Sequence, residues 1–119
     1  MNSNNVRKTT GSELTVLVKG DLWVLVKFYA PWCAPCRAME PVFERLAGLF
    51  AGRAVFAQIN IDNDPDFSQQ NGVRAVPTFM LFAGGKVIGQ LVGATNEKSL
   101  TDLLGLAVQL SPVTLAPAV

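Results

Sequence analysis

The chain has 119 residues, half of them hydrophobic and 16% charged, with a formal net charge of +1. That size suits one domain with its own buried core, and that composition excludes a disordered chain. Acidic and basic residues are interspersed, which leaves no electrostatic footprint for nucleic acid or for a membrane surface.

The opening, Met1-Asn2-Ser3-Asn4-Asn5, is polar and no long apolar run follows. Neither a signal peptide nor a spanning helix is therefore expected. Val6 to Thr9 reads as a short edge strand. Ser12 is placed to cap a helix running to Lys19 and stopped by Gly20. Trp23 to Tyr29 is a buried strand interrupted only by Lys27. After Cys36 the period becomes helical: Met39, Val42, Phe43, Leu46, Leu49 and Phe50 form one apolar stripe, and Pro41 inside it predicts a kink. Val55 to Ile61 is the next buried strand. Asp64-Pro65 offers an N-cap and a proline at the first helical position, for a short helix ending near Gly72. Thr78 to Phe82 and Val87 to Val92 pair through a Gly84-Gly85 hairpin turn. Thr95 is placed to cap a last helix carrying Leu100, Leu103, Leu104, Ala107 and Val108 on one face.

This order predicts an α/β fold with a mixed central sheet and helices on both faces. Strands joined through helices are expected to run parallel, and the tight final connection antiparallel. Residues 1–110 are expected to form the domain. Ser111 to Val119, uncharged and with two prolines, reads as a mobile tail.

Cysteine arithmetic carries the functional reading. There are two cysteines, Cys33 and Cys36, and no histidine. One chain so equipped lacks the four ligands of a structural zinc site. A disulfide closing so short a loop constrains little of the unfolded chain. Redox chemistry explains the pair better. It stands where a strand ends and a helix begins, where unpaired N–H groups and the helix dipole stabilise an anion. Cys33, at the very start, is expected to be the exposed nucleophilic thiolate, and Cys36, one turn inward, the shielded thiol that resolves. Pro35 is tolerated because first-turn N–H groups have no helical partner. Two cysteines can also be no more than small buried hydrophobes. Thiolates shared between two chains would suit a soft metal or an iron–sulfur cluster.

The residues Trp32-Cys33-Ala34-Pro35-Cys36 after Val26-Lys27-Phe28-Tyr29-Ala30 resemble the thioredoxin family. So do Asn60-Ile61-Asp62, Val73-Arg74-Ala75-Val76-Pro77-Thr78, Gly84-Gly85-Lys86 and Val92-Gly93-Ala94, in the family's order and spacing over about residues 6 to 110. The resemblance implies a thioredoxin fold and a protein-disulfide reductase without a bound cofactor or metal. Its partners would be disulfide-containing proteins and an NADPH-dependent thioredoxin reductase, and the chain would be cytoplasmic and monomeric. Pro77 matches the family's cis-proline, which disfavours metal capture. Val76 would pair through its backbone with an extended substrate segment. Trp32, Ala34, Pro35, Ala75, Val76, Pro77, Gly93 and Ala94 would form the face that receives a protein disulfide.

Two departures stand out. Ala34-Pro35 replaces the family's usual Gly-Pro, which bears on the redox poise. Lys27 stands where the family usually has a buried aspartate behind Cys36, and Gln58 where it has the partner lysine, so the pair is absent. The Lys27 stem is expected along apolar neighbours with the ammonium reaching water. Buried and neutral, it would accept the Cys36 proton; charged, it would stabilise the thiolates and make the disulfide more oxidising. An isomerase or oxidase partner, or a non-catalytic binding module of the same fold, are the alternatives.

Overall fold

The computed structural model describes residues 5–110, with side chains as far as Leu106. The predicted tail, 111–119, and the side chains of Ala107 and Val108 lie outside the described residues. The elements are β1 (Val6–Lys8), α1 (Gly11–Leu17), β2 (Trp23–Tyr29), α2 (Ala34–Ala38), α3 (Glu40–Leu49), β3 (Ala54–Asn60), α4 (Pro65–Gln70), β4 (Thr78–Ala83), β5 (Lys86–Val92) and α5 (Glu97–Leu110). They build one five-stranded sheet in the order β1-β3-β2-β4-β5. β3 is parallel to β1 and β2, while β4 is antiparallel to β2 and β5. The mixed sheet agrees with the sequence reading.

Alternation along the strands divides the core in two. Trp23, Leu25, Phe79 and Leu81 face α3 and α5, packing on Phe43, Leu46, Leu100 and Leu104. Val24, Val26, Phe28 and Met80 face the other way, onto Leu14 and Val18 and, half-buried, Phe67 of α4. β2 is the central strand, which is why its apolar run is nearly continuous. The hairpin between β4 and β5 turns on Gly84 and Gly85, with φ of 61° and 84°, a left-handed conformation that glycine adopts without strain.

Helix boundaries differ from expectation where caps decide them. Thr10, not Ser12, begins α1: its hydroxyl accepts from Glu13 N–H at 3.2 Å, while the Glu13 carboxylate accepts from Thr10 N–H at 3.3 Å. This reciprocal box contributes about 1 kcal/mol and outweighs a lone serine. The helix ends at Leu17 rather than Lys19. Asn96, not Thr95, caps α5, its Oδ1 accepting from Ser99 N–H at 2.8 Å. Asp64 does precede Pro65 at the start of α4, without a side-chain capping bond. The long helix after Cys33 is broken at Met39 into α2 and α3, because Pro41 has no N–H to offer the preceding turn. Leu49 leaves the predicted stripe and is exposed. It falls six residues after Phe43, about 120° round the helix, whereas Phe50 returns almost to the Phe43 direction.

One predicted pairing is corrected. β3 and β4 are joined through α4 yet run in opposite directions, on either side of β2. α4 has only six residues, about 9 Å of helix against a strand of about 23 Å, and it does not run back along the sheet as a crossover helix would. The chain therefore re-enters the sheet at the end it left. The ends of β2, β3 and β5 and the start of β4 consequently gather at one edge of the sheet.

Candidate active site

That gathering edge holds the cysteines. Cys33 is the N-cap of α2, and Cys33 and Cys36 form a disulfide with a Cα–Cα distance of 5.2 Å. The Cys36 N–H donates to Cys33 Sγ at 3.1 Å. An unpaired first-turn donor is thus aimed at the sulfur, the arrangement that stabilises negative charge on Cys33 once the bond is reduced. The Cys33 N–H closes a turn onto Ala30 O at 3.1 Å. Arg37 Nη1 donates to Pro31 O at 2.6 Å, pinning the loop from the next turn of helix.

The expected exposure of Cys33 is corrected for this oxidised state. Cys33 is 4% exposed and Cys36 1%. Both cysteines pack against Ala30 and the half-buried Tyr29, Ile61 and Val76. Cys33 remains the more accessible of the two.

Around the disulfide the other expected residues come together. Cys33 Sγ lies 3.7 Å from the carbonyl oxygen of Val76, and the Val76–Pro77 peptide is cis. The Gly93 N–H donates to Pro77 O at 2.7 Å, fastening the β5 end beside that peptide. Gly93 has φ of 92°, a backbone that disfavours side chains. Thr78 Oγ1 donates to Ala75 O at 2.7 Å and shapes the approach to Pro77. Ala34, Pro35, Ala75 and Ala94 are exposed, Val76 and Gly93 half-buried, and Pro77 buried beneath them. Trp32 is 66% exposed, held by its indole N–H donating to Asp62 Oδ2 at 3.0 Å. The result is a mostly small, apolar face around Cys33, with a large aromatic fixed at one side.

Behind the disulfide lies the main surprise. Lys27 is 1% exposed. Its ammonium does not run out to the outer surface: Lys27 lines a crevice of about 380 Å³ together with Tyr29, Phe43, Gln58, Glu40 and Glu44. Its Nζ sits 5.1 Å from the Phe43 ring centroid and 5.7 Å from that of Tyr29. Among the described residues it has no hydrogen bond and no ion pair within 4.0 Å. Burial lowers its pKa, and the Glu40 and Glu44 carboxylates oppose that fall. Gln58 is its neighbour in the β2–β3 register. The family's strand-to-strand carboxylate–lysine pair is therefore absent, but carboxylates face Lys27 from α3. Sequence reading missed Glu40 and Glu44; their four-residue spacing after Cys36 was the available signal.

A lysine buried without an ion pair costs stability. Lys27→Met is expected to stabilise the fold by about 1–3 kcal/mol at neutral pH. Between the lowered Lys27 value and 10.5 the unfolded chain holds the extra proton, so native stability rises with pH across that window. Tyr29, raised above 10.0 chiefly by burial, acts oppositely: its contribution is lost as pH rises through its folded value. Urea unfolding from pH 7 to 10 should show the Lys27→Met advantage shrinking towards the alkaline end.

The thioredoxin family model matches residues 5–105. A thioredoxin of Chlorobaculum thiosulfatiphilum is 44% identical over 86 residues, covering 72% of this chain and 80% of that protein. One from Alicyclobacillus acidocaldarius is 37% identical over 100 residues, covering 84% and 95%. The structure of a mutant thioredoxin from Halobacterium salinarum superposes with a TM-score of 0.77 at 37% identity, covering 87% of this chain and 91% of that one. With its cysteine pair intact and bonded, this chain belongs to the thioredoxin family of thiol–disulfide oxidoreductases.

Proposed function

We propose that the chain reduces protein disulfides, with Cys33 as the attacking sulfur and Cys36 as the resolving one. The observation that carries this assignment is the Cys36 N–H aimed at Cys33 Sγ, at the edge of an open apolar face. The Cys33 thiolate attacks one sulfur of the substrate disulfide, and the other leaves as a thiolate. Cys36 then loses its proton and attacks Cys33, expelling the second substrate sulfur and closing the Cys33–Cys36 bond. Two electrons pass to the substrate.

Trp32, Ala34, Pro35, Ala75, Gly93 and Ala94 receive the substrate in this reading, over the buried Pro77. The backbone of Val76 pairs with its extended chain in a short form of strand addition. Residues 1–110 constitute the working domain, acting as a monomer in the cytoplasm. The family implies a reductase that recharges the disulfide, and an NADPH-dependent one is the form proposed. Lys27 in place of a carboxylate favours a second reading, a more oxidising partner suited to isomerisation.

Insulin reduction tests both. The chain should accelerate it with dithiothreitol as donor, and with NADPH and thioredoxin reductase in its place. Activity with the chemical donor alone would reject the NADPH-dependent route. No acceleration with either donor would favour a non-catalytic binding module.

A further inference from the structure

When Cys36 attacks Cys33, its sulfur must first give up a proton, and that residue is 1% exposed. On the outer side the substrate covers the pair at that moment. On the inner side Tyr29 packs against the Ala30, Cys33 and Cys36 cluster, and the same residue forms a wall of the crevice behind it. Tyr29 thus borders both the cysteine cluster and a crevice that carries titratable groups.

Those groups come from three strands and a helix. β2 supplies Lys27 and Tyr29, β1 Lys8, α3 Glu40 and Glu44, and β3 the neutral Gln58. Lys27 is the buried one, without a hydrogen bond or ion pair among the described residues, and it lines the crevice faced by both carboxylates. Glu40 follows Cys36 by four residues, one helical turn. Met39, at the break, keeps φ of −85° and ψ of −9°, so the chain passes from α2 to α3 on a near-helical path. Glu44 lies a further turn away.

We propose that Glu40 accepts the Cys36 proton by way of this crevice, where the buried Lys27 attracts its carboxylate across space without a direct ion pair. The proposal rests on the reading of Cys36 as the resolving thiol. The Cys36 S–H bond breaks and its proton passes through solvent in the crevice to the Glu40 carboxylate. The electron pair left on the sulfur forms the bond to Cys33 Sγ. The bond between Cys33 and the substrate breaks, its pair leaving with the substrate sulfur, and Glu40 returns the proton to bulk water. No oxidant beyond the substrate disulfide is needed. The charge arrangement is inverted from strand-borne carboxylate to helix-borne carboxylate.

The test isolates the second half-reaction. Cys33 is converted to its mixed disulfide with thionitrobenzoate, and release of the coloured thiolate by Cys36 is followed across pH. Glu40→Gln should slow release at least about tenfold near neutral pH, as loss of a general base does, with its rate rising only at higher pH. Glu44→Gln should slow it less. A merely electrostatic role has the opposite sign: removing a negative charge near Cys36 favours its thiolate and speeds release. Unchanged or faster release in Glu40→Gln, or an equal loss in Glu44→Gln, overturns the proposal. Release by Cys36→Ser at the wild-type rate would instead overturn the assignment of Cys36 itself. Glu40 is exposed, so an unchanged unfolding midpoint should accompany the slower release.

Discussion

Cys36→Ser should halt turnover after one attack and trap the substrate on Cys33. Serine preserves the N–H that points at Cys33 Sγ, so the first step, which depends on that donor, survives. It removes the only sulfur placed to expel the substrate, since the Cα–Cα distance of 5.2 Å lets Cys36 alone close a bond with Cys33. Insulin reduction should fall to the rate of the chemical donor. Mass spectrometry under non-reducing conditions should show each chain carrying one substrate. Cys33→Ser should also stop turnover but accumulate no adduct. An adduct on Cys36 in that variant would mean that the two sulfurs had been assigned the wrong way round.

Phe43→Ala should cost about 3–5 kcal/mol, the range for emptying a buried aromatic site. Phe43 has no exposed surface, and its ring lies 5.0 Å from that of Phe56 and 5.8 Å from that of Phe79. It joins α3 to β3 and β4 and also flanks the Lys27 ammonium at 5.1 Å. Truncation would leave a void beside a buried cation. Against a typical total of about 5–15 kcal/mol, such a loss brings the chain near its unfolding threshold. Phe43→Leu keeps most of the volume and should cost much less. Denaturant unfolding of both variants separates lost packing from any loss of activity.

The features behind these effects differ in how legible they are in the sequence. β2, the cysteine pair and the Gly84-Gly85 turn were readable because each is set by local pattern: an apolar run, a spacing, a backbone only glycine favours. The antiparallel course of β4 was not, because local pattern does not say whether the connection 61–77 crosses the sheet or returns to the end it left. Leu49 left its stripe because the break at Met39 and the rotation of α3 decide which positions face inward. The start of α1 was legible in the Thr10–Glu13 pair, whose capping box outweighs Ser12. The face around Cys33 was legible only through resemblance, since Trp32, Ala75, Val76 and Gly93 come from separate parts of the chain. Glu40 and Glu44 were not legible as neighbours of Lys27, because they lie on α3 and meet it only where that helix packs beside β2. What replaced the family's strand carboxylate is a property of packing between β2 and α3.

The most direct measurement of the central claim is insulin reduction by the wild-type chain and by Cys33→Ser, side by side with dithiothreitol as donor. The wild type should accelerate precipitation of the reduced insulin chains, and Cys33→Ser should do no better than dithiothreitol alone. Equal acceleration by the two proteins would contradict the assignment of Cys33 as the attacking sulfur.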